Sequence, residues 1–241
     1  MSARRLLAIA AVCAIALPAT GCFDPFSPRI QGRGISAPPP VANSPSGVLR
    51  LFEWAYNNRD ISEYRTVFTD DYRFVFSALD TAGKAYRDQP WTRSDELESA
   101  GKLFDAASSI TLQLDKSFAV FPDTRPGKGN PVYHKSIRTQ VLLNIVTLDN
   151  NQINVSGKAN FHLVRGDSAA IPSDLKLPPD STRWYIDQWD DETYAGALAS
   201  AALARLQTGG HLVRPAHQTG TARGQEYLDA TWGWVKVVYH P

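Results

Sequence analysis

The stretch "VLRLFEWAYNNRDISEYRTVFTDDYRFVF", residues 48–76, contains two helix signals followed by a strand signal. Its first part places apolar residues at helical spacing, so that one face of a helix is apolar. These residues are Val48, Phe52, Ala55 and Tyr56. Ser44 and Pro45 precede them, and a capping hydroxyl followed by proline is a typical helix start. The sequence therefore predicts a first amphipathic helix that begins near Pro45.

The rest of this stretch predicts a short helix and then a strand. Asp60 and Glu63 have the spacing of a capping box, which opens a helix that we expect to end near Phe68. In "YRFVFS", residues 72–77, aromatic side chains alternate with Arg, Val and Ser. This alternation is typical of a half-buried strand, and here one face of the strand is strongly aromatic.

One further helix and then only strands are predicted downstream. Ser94 can cap the helix, whose apolar stripe consists of Leu97, Ala100, Phe104 and Ala107. The predicted strands are 110–121, 137–148, 153–164 and 183–189, with a hairpin turn at 149–152 and a long polar loop at 166–182. This order predicts an α+β fold in which N-terminal helices pack on a curved antiparallel sheet.

The order of elements resembles one known superfamily. It is the cone-shaped α+β superfamily that contains nuclear transport factor two, ketosteroid isomerase and the SnoaL-like polyketide cyclases. Residues 48–76 resemble its opening helices and first strand, and "RWYIDQWDDET", 183–193, resembles its closing strand. The resemblance covers roughly residues 46–192 and implies a cone-shaped domain over that range.

The start of the chain predicts an export signal with a lipid attachment site. Arg4 and Arg5 precede an apolar run, 6–17, that is shorter than the roughly 20 residues needed to span a bilayer. The following "ATGC" resembles the lipobox of bacterial lipoproteins, although alanine stands where leucine is commoner. The resemblance implies a lipoprotein signal peptide at 1–21 and a lipid on Cys22. The alternative is a plain signal peptide with an incidental cysteine.

The location of the protein follows from this signal. Residues 22–45 are rich in Pro, Gly and Ser, which predicts a flexible tether; the alternative is a strap that packs on the domain through Phe23 and Phe26. Cys13 would leave with the signal, so the mature chain has one thiol and no internal disulfide. We expect the bacterial cell envelope, and the outer membrane in a Gram-negative host because Phe23 rather than aspartate follows the cysteine.

The C-terminal part predicts an insertion followed by a docked segment. Residues 193–226 combine an alanine-rich helix with a long loop that we expect to be mobile. Residues 227–241 include "WGWVKVV", which is too apolar for a free tail. We therefore expect this last segment to pack on the domain; the alternative is an exposed apolar patch that recruits a partner.

Candidate catalytic residues are few. The enzymes of the resembled superfamily place carboxylates, histidines and tyrosines inside the cone as general acids and bases. The candidates here are Tyr72, His162, Tyr185 and Asp187. Strict alternation would place Tyr185, Asp187 and Trp189 on one face of the closing strand. The alternative for His162 and Asp187 is that both simply face water.

Several other classes of site have no signal in this sequence. The five histidines and two cysteines have no metal-ligand spacing, so no metal is predicted. Glycine-rich phosphate or dinucleotide motifs and a GxSxG motif are missing as well, so no cofactor is predicted. Loss of Arg4 and Arg5 with the signal changes the formal net charge from +1 to −1, which gives no support for nucleic-acid binding.

Two functions fit these observations. The first is a membrane-anchored envelope lipoprotein whose cone is a non-catalytic module for a small apolar ligand or an envelope protein. The second is a SnoaL-like isomerase, dehydratase or hydrolase. A deep cavity with converging titratable groups would favour the enzyme, and an interior filled by aromatic side chains such as Phe74, Phe76 and Trp184 would favour the binding module.

Overall fold

The computed structural model describes residues 37–78, 80, 82–86, 89–171, 180–194 and 227–240. All of them except Ala37 belong to one compact unit, Pro38–Pro241. The predicted signal peptide 1–21, the lipid site Cys22 and most of the predicted insertion lie outside the described residues. Within the described part of the chain, no helix combines the length and apolar character needed to cross a membrane.

The two opening helices form where the local signals predict them. Helix α1 is Pro45–Asn58, and the Ser44 side chain accepts a hydrogen bond from the Gly47 amide at its start. Helix α2 is Ile61–Tyr64, capped by the Asp60 carboxylate, and a 3₁₀ turn, Arg65–Val67, continues it. Arg59 joins the two helices in a left-handed conformation with φ 53°.

The third helix starts earlier than predicted. Helix α3 is Arg93–Ala106, and its cap is Thr92 rather than Ser94. The Thr92 hydroxyl accepts from the Asp95 amide, while the Asp95 carboxylate accepts from the Thr92 amide. This reciprocal pair satisfies two amides at once, which explains why Thr92 is preferred to Ser94 as the cap.

Within the described residues, the sheet has eight strands and a mixed topology. The strands are β1 Phe68–Val75, β2 Trp91–Thr92, β3 Ala107–Leu114, β4 Val120–Pro122, β5 His134–Thr147, β6 Gln152–Gly166, β7 Asp180–Tyr194 and β8 Tyr227–Ala230. Their order is β2-β1-β7-β6-β5-β3, with β4 paired to β5 and β8 paired to β6. Most pairs are antiparallel as predicted, but β1 runs parallel to β7 and β8 runs parallel to β6.

Two predicted boundaries differ from the structure. The single strand predicted at 110–121 is divided into β3 and β4, which pair with different parts of β5. The end of the predicted tether is ordered: Ala42 is buried, and its carbonyl accepts a hydrogen bond of 2.8 Å from the Trp184 amide. The part of the tether before residue 37 lies outside the described residues.

Helix α1 covers the edge of the sheet at β3. The Asn57 side chain accepts from the Leu112 amide at 2.6 Å and donates to the Leu112 carbonyl at 2.9 Å. A carboxylate oxygen of Glu53 accepts from the Leu114 amide at 2.9 Å. These bonds satisfy backbone groups that an open edge strand would offer to another chain.

The core between the helices and the sheet is strongly aromatic. The Phe52 ring lies about 5.4 Å from the rings of Phe161 and Trp189, measured between ring centroids. Trp232 belongs to the last helix, α4 (Trp232–Val238), and meets Trp189 edge-on at 4.3 Å. Edge-to-face contacts of this kind add to the stabilisation from apolar burial. The C-terminal helix is therefore part of the central core.

Strand β7 contains a bulge that overturns the predicted alternation. Gln188 is opposite His162 and Ile186 is opposite Leu163, so Asp187 is an extra residue on β7. A bulge reverses the side-chain alternation beyond it. As a result Ile186 and Trp189 are both fully buried in the core, whereas Asp187 lies on the outer face of the sheet. The prediction that Asp187 and Trp189 share a face is wrong.

Candidate functional site

Glu96 is the centre of a polar cluster inside the domain. It lies on α3 and is buried to 1% exposure. Its carboxylate accepts hydrogen bonds from the Tyr64 hydroxyl at 2.6 Å and from the Trp91 indole nitrogen at 3.1 Å. The Tyr72 hydroxyl, one of the predicted candidates, contacts the same carboxylate at 3.4 Å.

Lys236 from the C-terminal helix completes this cluster. Its Nζ contacts both Glu96 carboxylate oxygens at 2.5 Å. The same ammonium group lies over the Trp189 ring at 4.1 Å and the Phe74 ring at 4.5 Å. Burial lowers the pKa of Lys236, and the Glu96 charge opposes that effect. Carboxylate and aromatic faces are thus the partners that hold a cation in an otherwise apolar interior.

The tyrosines around Glu96 are held in the neutral form. Burial raises the pKa values of Tyr64 and Tyr72 well above the ordinary range, and the negative charge of Glu96 raises both further. Burial raises the pKa of Tyr56 in the same way, and its hydroxyl accepts a hydrogen bond from the Trp232 indole at 3.1 Å. These hydroxyls therefore act as hydrogen-bonding groups and not as bases near neutral pH.

Glu96 and Lys236 are not among the site residues that the sequence predicts. Glu96 lies on the buried side of α3 with Ala100 and Leu103, and Lys236 interrupts the apolar run "WGWVKVV". At both positions, the sequence signal is a charged residue within an otherwise apolar pattern. The partner of each charge is more than a hundred residues away, so the sequence did not indicate that the two would meet.

A second polar cluster lies on the outer face of the sheet and contains Asp187. Arg125, from the segment between β4 and β5, donates to both Asp187 oxygens at 2.9 Å. It also contacts Asp123 at 2.6 Å, and Lys128 lies 3.2 Å from Asp187. Burial would lower the pKa of Arg125, but Asp123 and Asp187 outweigh burial and raise it. Asp187 is thus committed to an ion-pair network.

His162 lies in the same outer cluster, between two carboxylates. Its Nδ1 is 3.2 Å from Asp123 and its Nε2 is 3.0 Å from Asp190. Burial alone would raise the pKa values of both aspartates; hydrogen bonds to Arg125 at Asp123 and to His162 at Asp190 outweigh that effect and lower them. His162 is buried and paired, so the alternative that it simply faces water is wrong.

The four predicted candidates do not form one site. Tyr72 lies in the inner cluster, whereas His162 and Asp187 lie in the outer cluster and are joined through Asp123 and Arg125. Tyr185 packs in a small apolar cluster with Val164 and Ile171. Among the described residues, no group of three or more His, Cys, Asp or Glu side chains could hold a metal ion.

The outer face also carries a shallow groove beyond these clusters. Its volume is about 280 Å³, and its outward-facing side chains come from β3, β5 and β6. They are Thr111, Gln113, Leu142, Asn144, Asn154 and Ser156. The inner cluster is different, because aromatic side chains and Lys236 occupy the space around Glu96.

Comparisons with known proteins concern the fold. No family model matches the sequence, and no curated protein matches it. Solved structures that match include a nuclear transport factor 2-like superfamily protein from Salmonella enterica, with 13% identity, a TM-score of 0.42, and coverage of 62% of this chain and 87% of that chain. Another is a ketosteroid isomerase-like protein from Erwinia carotovora, with 10% identity, a TM-score of 0.40, and coverage of 63% and 94%.

A third similar structure is that of a conserved protein from Planctomyces limnophilus. It is 11% identical, with a TM-score of 0.43 and coverage of 61% of this chain and 91% of that chain. Two of these three structures are thus described as a nuclear transport factor 2-like superfamily protein and a ketosteroid isomerase-like protein. The described architecture of helices packed against a curved, open sheet confirms the predicted α+β fold class. Identities of this size say nothing about activity.

Proposed function

We propose that this chain is an exported lipoprotein, anchored in a membrane through a lipid on Cys22, whose folded domain is a non-catalytic binding module. The proposal of a non-catalytic binding module rests on the filled interior of the domain. Glu96 and Lys236 bond to each other, and Lys236 comes from the chain's own C-terminal helix. The domain would bind an envelope protein through its outer surface.

The closure of the inner cluster supports a non-catalytic role. A general acid or base must come within hydrogen-bond reach of the substrate proton that it transfers. The Glu96 oxygens already accept from Lys236, Tyr64 and Trp91. A small apolar ligand in the cone would meet the same obstacle, because Trp232 and Trp189 are fully buried against each other at its centre. This packing favours an outer-surface partner over a ligand in the cone.

The alternative of a SnoaL-like enzyme needs an open interior. A substrate that bonds to Glu96 would have to displace Lys236 of helix α4, and movement of α4 would also take the Trp232 ring out of the core. That movement would expose an apolar surface that several large side chains now bury. The binding module is therefore the function that we propose.

The membrane anchor rests on the sequence pattern around Cys22. A single acyl chain holds a protein only marginally, and the diacylglyceryl group that the lipobox resemblance implies would meet the requirement for more than one chain. The Phe23 that follows would permit transfer to the outer membrane in a Gram-negative host. The mature chain would then begin at Cys22.

A substitution at Cys22 tests the anchor. We expect Cys22→Ser to release the protein from the membrane fraction or to leave its precursor uncleaved, because the serine hydroxyl cannot form the thioether to the lipid. Cell fractionation and the mass of the mature N-terminus are the measurements. Cys13→Ser is the matched control, because this cysteine would leave with the signal peptide and its loss should change neither result. Normal processing and membrane retention of the Cys22→Ser protein would contradict the anchor.

A further inference from the structure

One end of the sheet is the place where the chain enters the domain. The Trp184 amide donates to the Ala42 carbonyl at 2.8 Å, and Trp184 pairs with Arg165 in the sheet. The Arg165 amide in turn donates to the Tyr133 carbonyl at 2.8 Å. One row across the sheet thus contains Ala42, Trp184, Arg165 and Tyr133. We call this side, where β5 begins and β6 ends, the entry end.

Three exposed apolar side chains lie at the entry end. Val41 precedes Ala42 and is 72% exposed, and Val132 precedes Tyr133 and is 56% exposed. Phe121 on β4 is 55% exposed and pairs with Ser136, near the start of β5. Single exposed apolar residues are ordinary, but a group of them at one end of a domain indicates an interaction surface.

Two cations at the entry end have no carboxylate partner among the described residues. Lys135 pairs with Pro122 in the sheet, and the Arg165 side chain donates to the Ser181 carbonyl. Other basic side chains nearby are neutralised, as with Arg125 and Lys128 on Asp187. By register, Lys135 and Arg165 lie on the helix-facing side of the sheet and Phe121 lies on the other side. Cations and an apolar ring at one end of the sheet suit a lipid surface, where phosphate groups lie next to acyl chains.

We propose that the entry end is the face that the domain turns to the membrane, with Phe121, Val132 and Val41 entering the headgroup region. This inference rests on the proposed anchor at Cys22, because the anchored chain reaches the domain at Ala42. Even fully extended, the chain between Cys22 and Ala42 spans at most about 70 Å. The tether therefore keeps the entry end at a high effective concentration near the lipid, so that a weak contact is sufficient.

The test separates this surface from the lipid anchor. It uses residues 22–241 with Cys22→Ser, which retain every residue of the described core but carry no lipid, and vesicles of phosphatidylethanolamine and phosphatidylglycerol. The measurement is the partition coefficient from vesicle flotation. We expect Phe121→Ser with Val132→Ser to lower it about tenfold, because two apolar side chains no longer enter the membrane.

A matched control lies at the other end of strand β5. Leu142 and Leu148 are 57% and 67% exposed, and Leu142→Ser with Leu148→Ser should leave partition unchanged. Amide hydrogen exchange provides a second measurement on the unsubstituted chain, in which vesicles should protect residues 120–121 and 132–133 but not 147–149. No vesicle binding, equal losses in both pairs of variants, or protection at the Leu148 end would overturn the proposal.

The anchor and the entry end can fail separately. The vesicle experiment lacks the lipid, so its outcome does not depend on whether Cys22 is modified in cells. Fractionation of the Cys22→Ser protein in cells tests only the anchor. If Phe121→Ser with Val132→Ser left vesicle binding intact and instead abolished capture of a protein partner, the entry end would be a protein-binding surface and the inference would be wrong.

Discussion

Asp191 on β7 is a buried carboxylate that meets the start of the C-terminal helix. One of its oxygens accepts from the Thr193 amide and hydroxyl, and the other accepts from the Gly233 amide at 3.0 Å. Burial raises the pKa of Asp191 to about 6, with a smaller contribution from the charge of Asp80; the hydrogen bonds oppose this rise. Charging Asp191 therefore costs more in the folded chain than in the unfolded chain.

The raised pKa of Asp191 predicts a defined pH dependence. Because the pKa of Asp191 is higher in the folded chain, its contribution to stability is complete only below the pKa of the unfolded chain, near 4. That contribution is lost as the pH rises through about 6. The loss amounts to about 3 kcal/mol by pH 8. Asp191→Asn does not titrate, so its free energy of unfolding should improve relative to the original protein by about that amount between pH 4 and pH 8.

The measurement for Asp191 is urea unfolding at several pH values. The side-chain nitrogen of asparagine cannot accept a hydrogen bond from the Gly233 amide. This lost bond lowers the free energy of unfolding of the variant by the same amount at every pH. The informative quantity is therefore the difference between the two stability curves as the pH changes. Parallel curves between pH 4 and pH 8 would show that Asp191 titrates in the folded protein as it does in the unfolded chain.

The buried pair of Lys236 and Glu96 predicts a strong asymmetry between single and double variants. Lys236→Met leaves the Glu96 charge without its cation and should cost about 3 to 5 kcal/mol in unfolding free energy. Lys236→Met combined with Glu96→Gln removes both charges and should recover much of that loss, because the amide oxygen can accept from the Trp91 indole and the amide nitrogen can donate to the Tyr64 hydroxyl. Equilibrium unfolding of both variants is the measurement, and a double variant no more stable than Lys236→Met would contradict this account.

At the scale of elements, the sequence predicted the helix starts and the strand alternation that depend on residues close together in the chain. Ser44 and Asp60 cap α1 and α2 because their side chains bond amides only two or three residues away. The alternation at 72–77 predicted the aromatic strand for the same reason, since period two places every second side chain in the core. Thr92 in place of Ser94 shows the limit: both are capping residues, and only the Asp95 side chain decides between them.

Contacts between distant residues account for what the sequence did not predict. The bulge at Asp187 depends on the register of β6 against β7, and nothing within β7 itself indicates an extra residue. The outer cluster likewise needs Arg125, from the segment between β4 and β5, to reach across to Asp187. The sequence position of a charged residue is a poor guide to its exposure when its ion-pair partner lies on another element.

Two glycines in helices predict opposite effects of the same substitution. A Cβ on Gly233 in α4 would lie 2.2 Å from the Asp80 carboxylate and 2.7 Å from the Phe76 ring, so Gly233→Ala should cost about 1 to 3 kcal/mol. A Cβ on Gly101 in α3 would meet nothing within 4 Å, so Gly101→Ala should gain up to about 1 kcal/mol from helix propensity. Thermal unfolding measures both. Equal shifts in melting temperature would show that α4 does not pack as closely as described.

At the scale of the whole molecule, the C-terminal helix ties together elements that are distant in sequence. Strand β7 ends at Tyr194, opposite Ser156, and β8 ends at Ala230, opposite the adjacent Val155. The chain then turns inward, where the Trp232 amide donates to the Thr193 hydroxyl at 2.8 Å. Helix α4 also reaches α3, because the Ser99 hydroxyl donates to the Lys236 carbonyl at 2.8 Å. The last residues thus join β7 and α3 inside one core.

Truncation after Gln225 is therefore expected to unfold the domain. It removes Trp232, Trp234 and Val235, which are all buried, and burying one large apolar side chain contributes about 1.5 to 3 kcal/mol. It also leaves Glu96 without its cation, which costs about 3 to 5 kcal/mol. The sum reaches the roughly 5 to 15 kcal/mol that a whole domain has available.

The measurement for the truncated chain is circular dichroism during heating, and we expect no cooperative transition. Val238→Ser is the matched control, because Val238 lies on the exposed side of the same helix and its loss should leave the melting temperature nearly unchanged. A synthetic peptide of residues 226–241 should restore the transition in the truncated chain, since every contact of α4 with the core would be available to it. A truncated protein that melts like the original would mean that α4 is an accessory to the core. The Lys236 and Trp232 contacts would then contribute little to the fold, and a substrate could reach Glu96 at small cost.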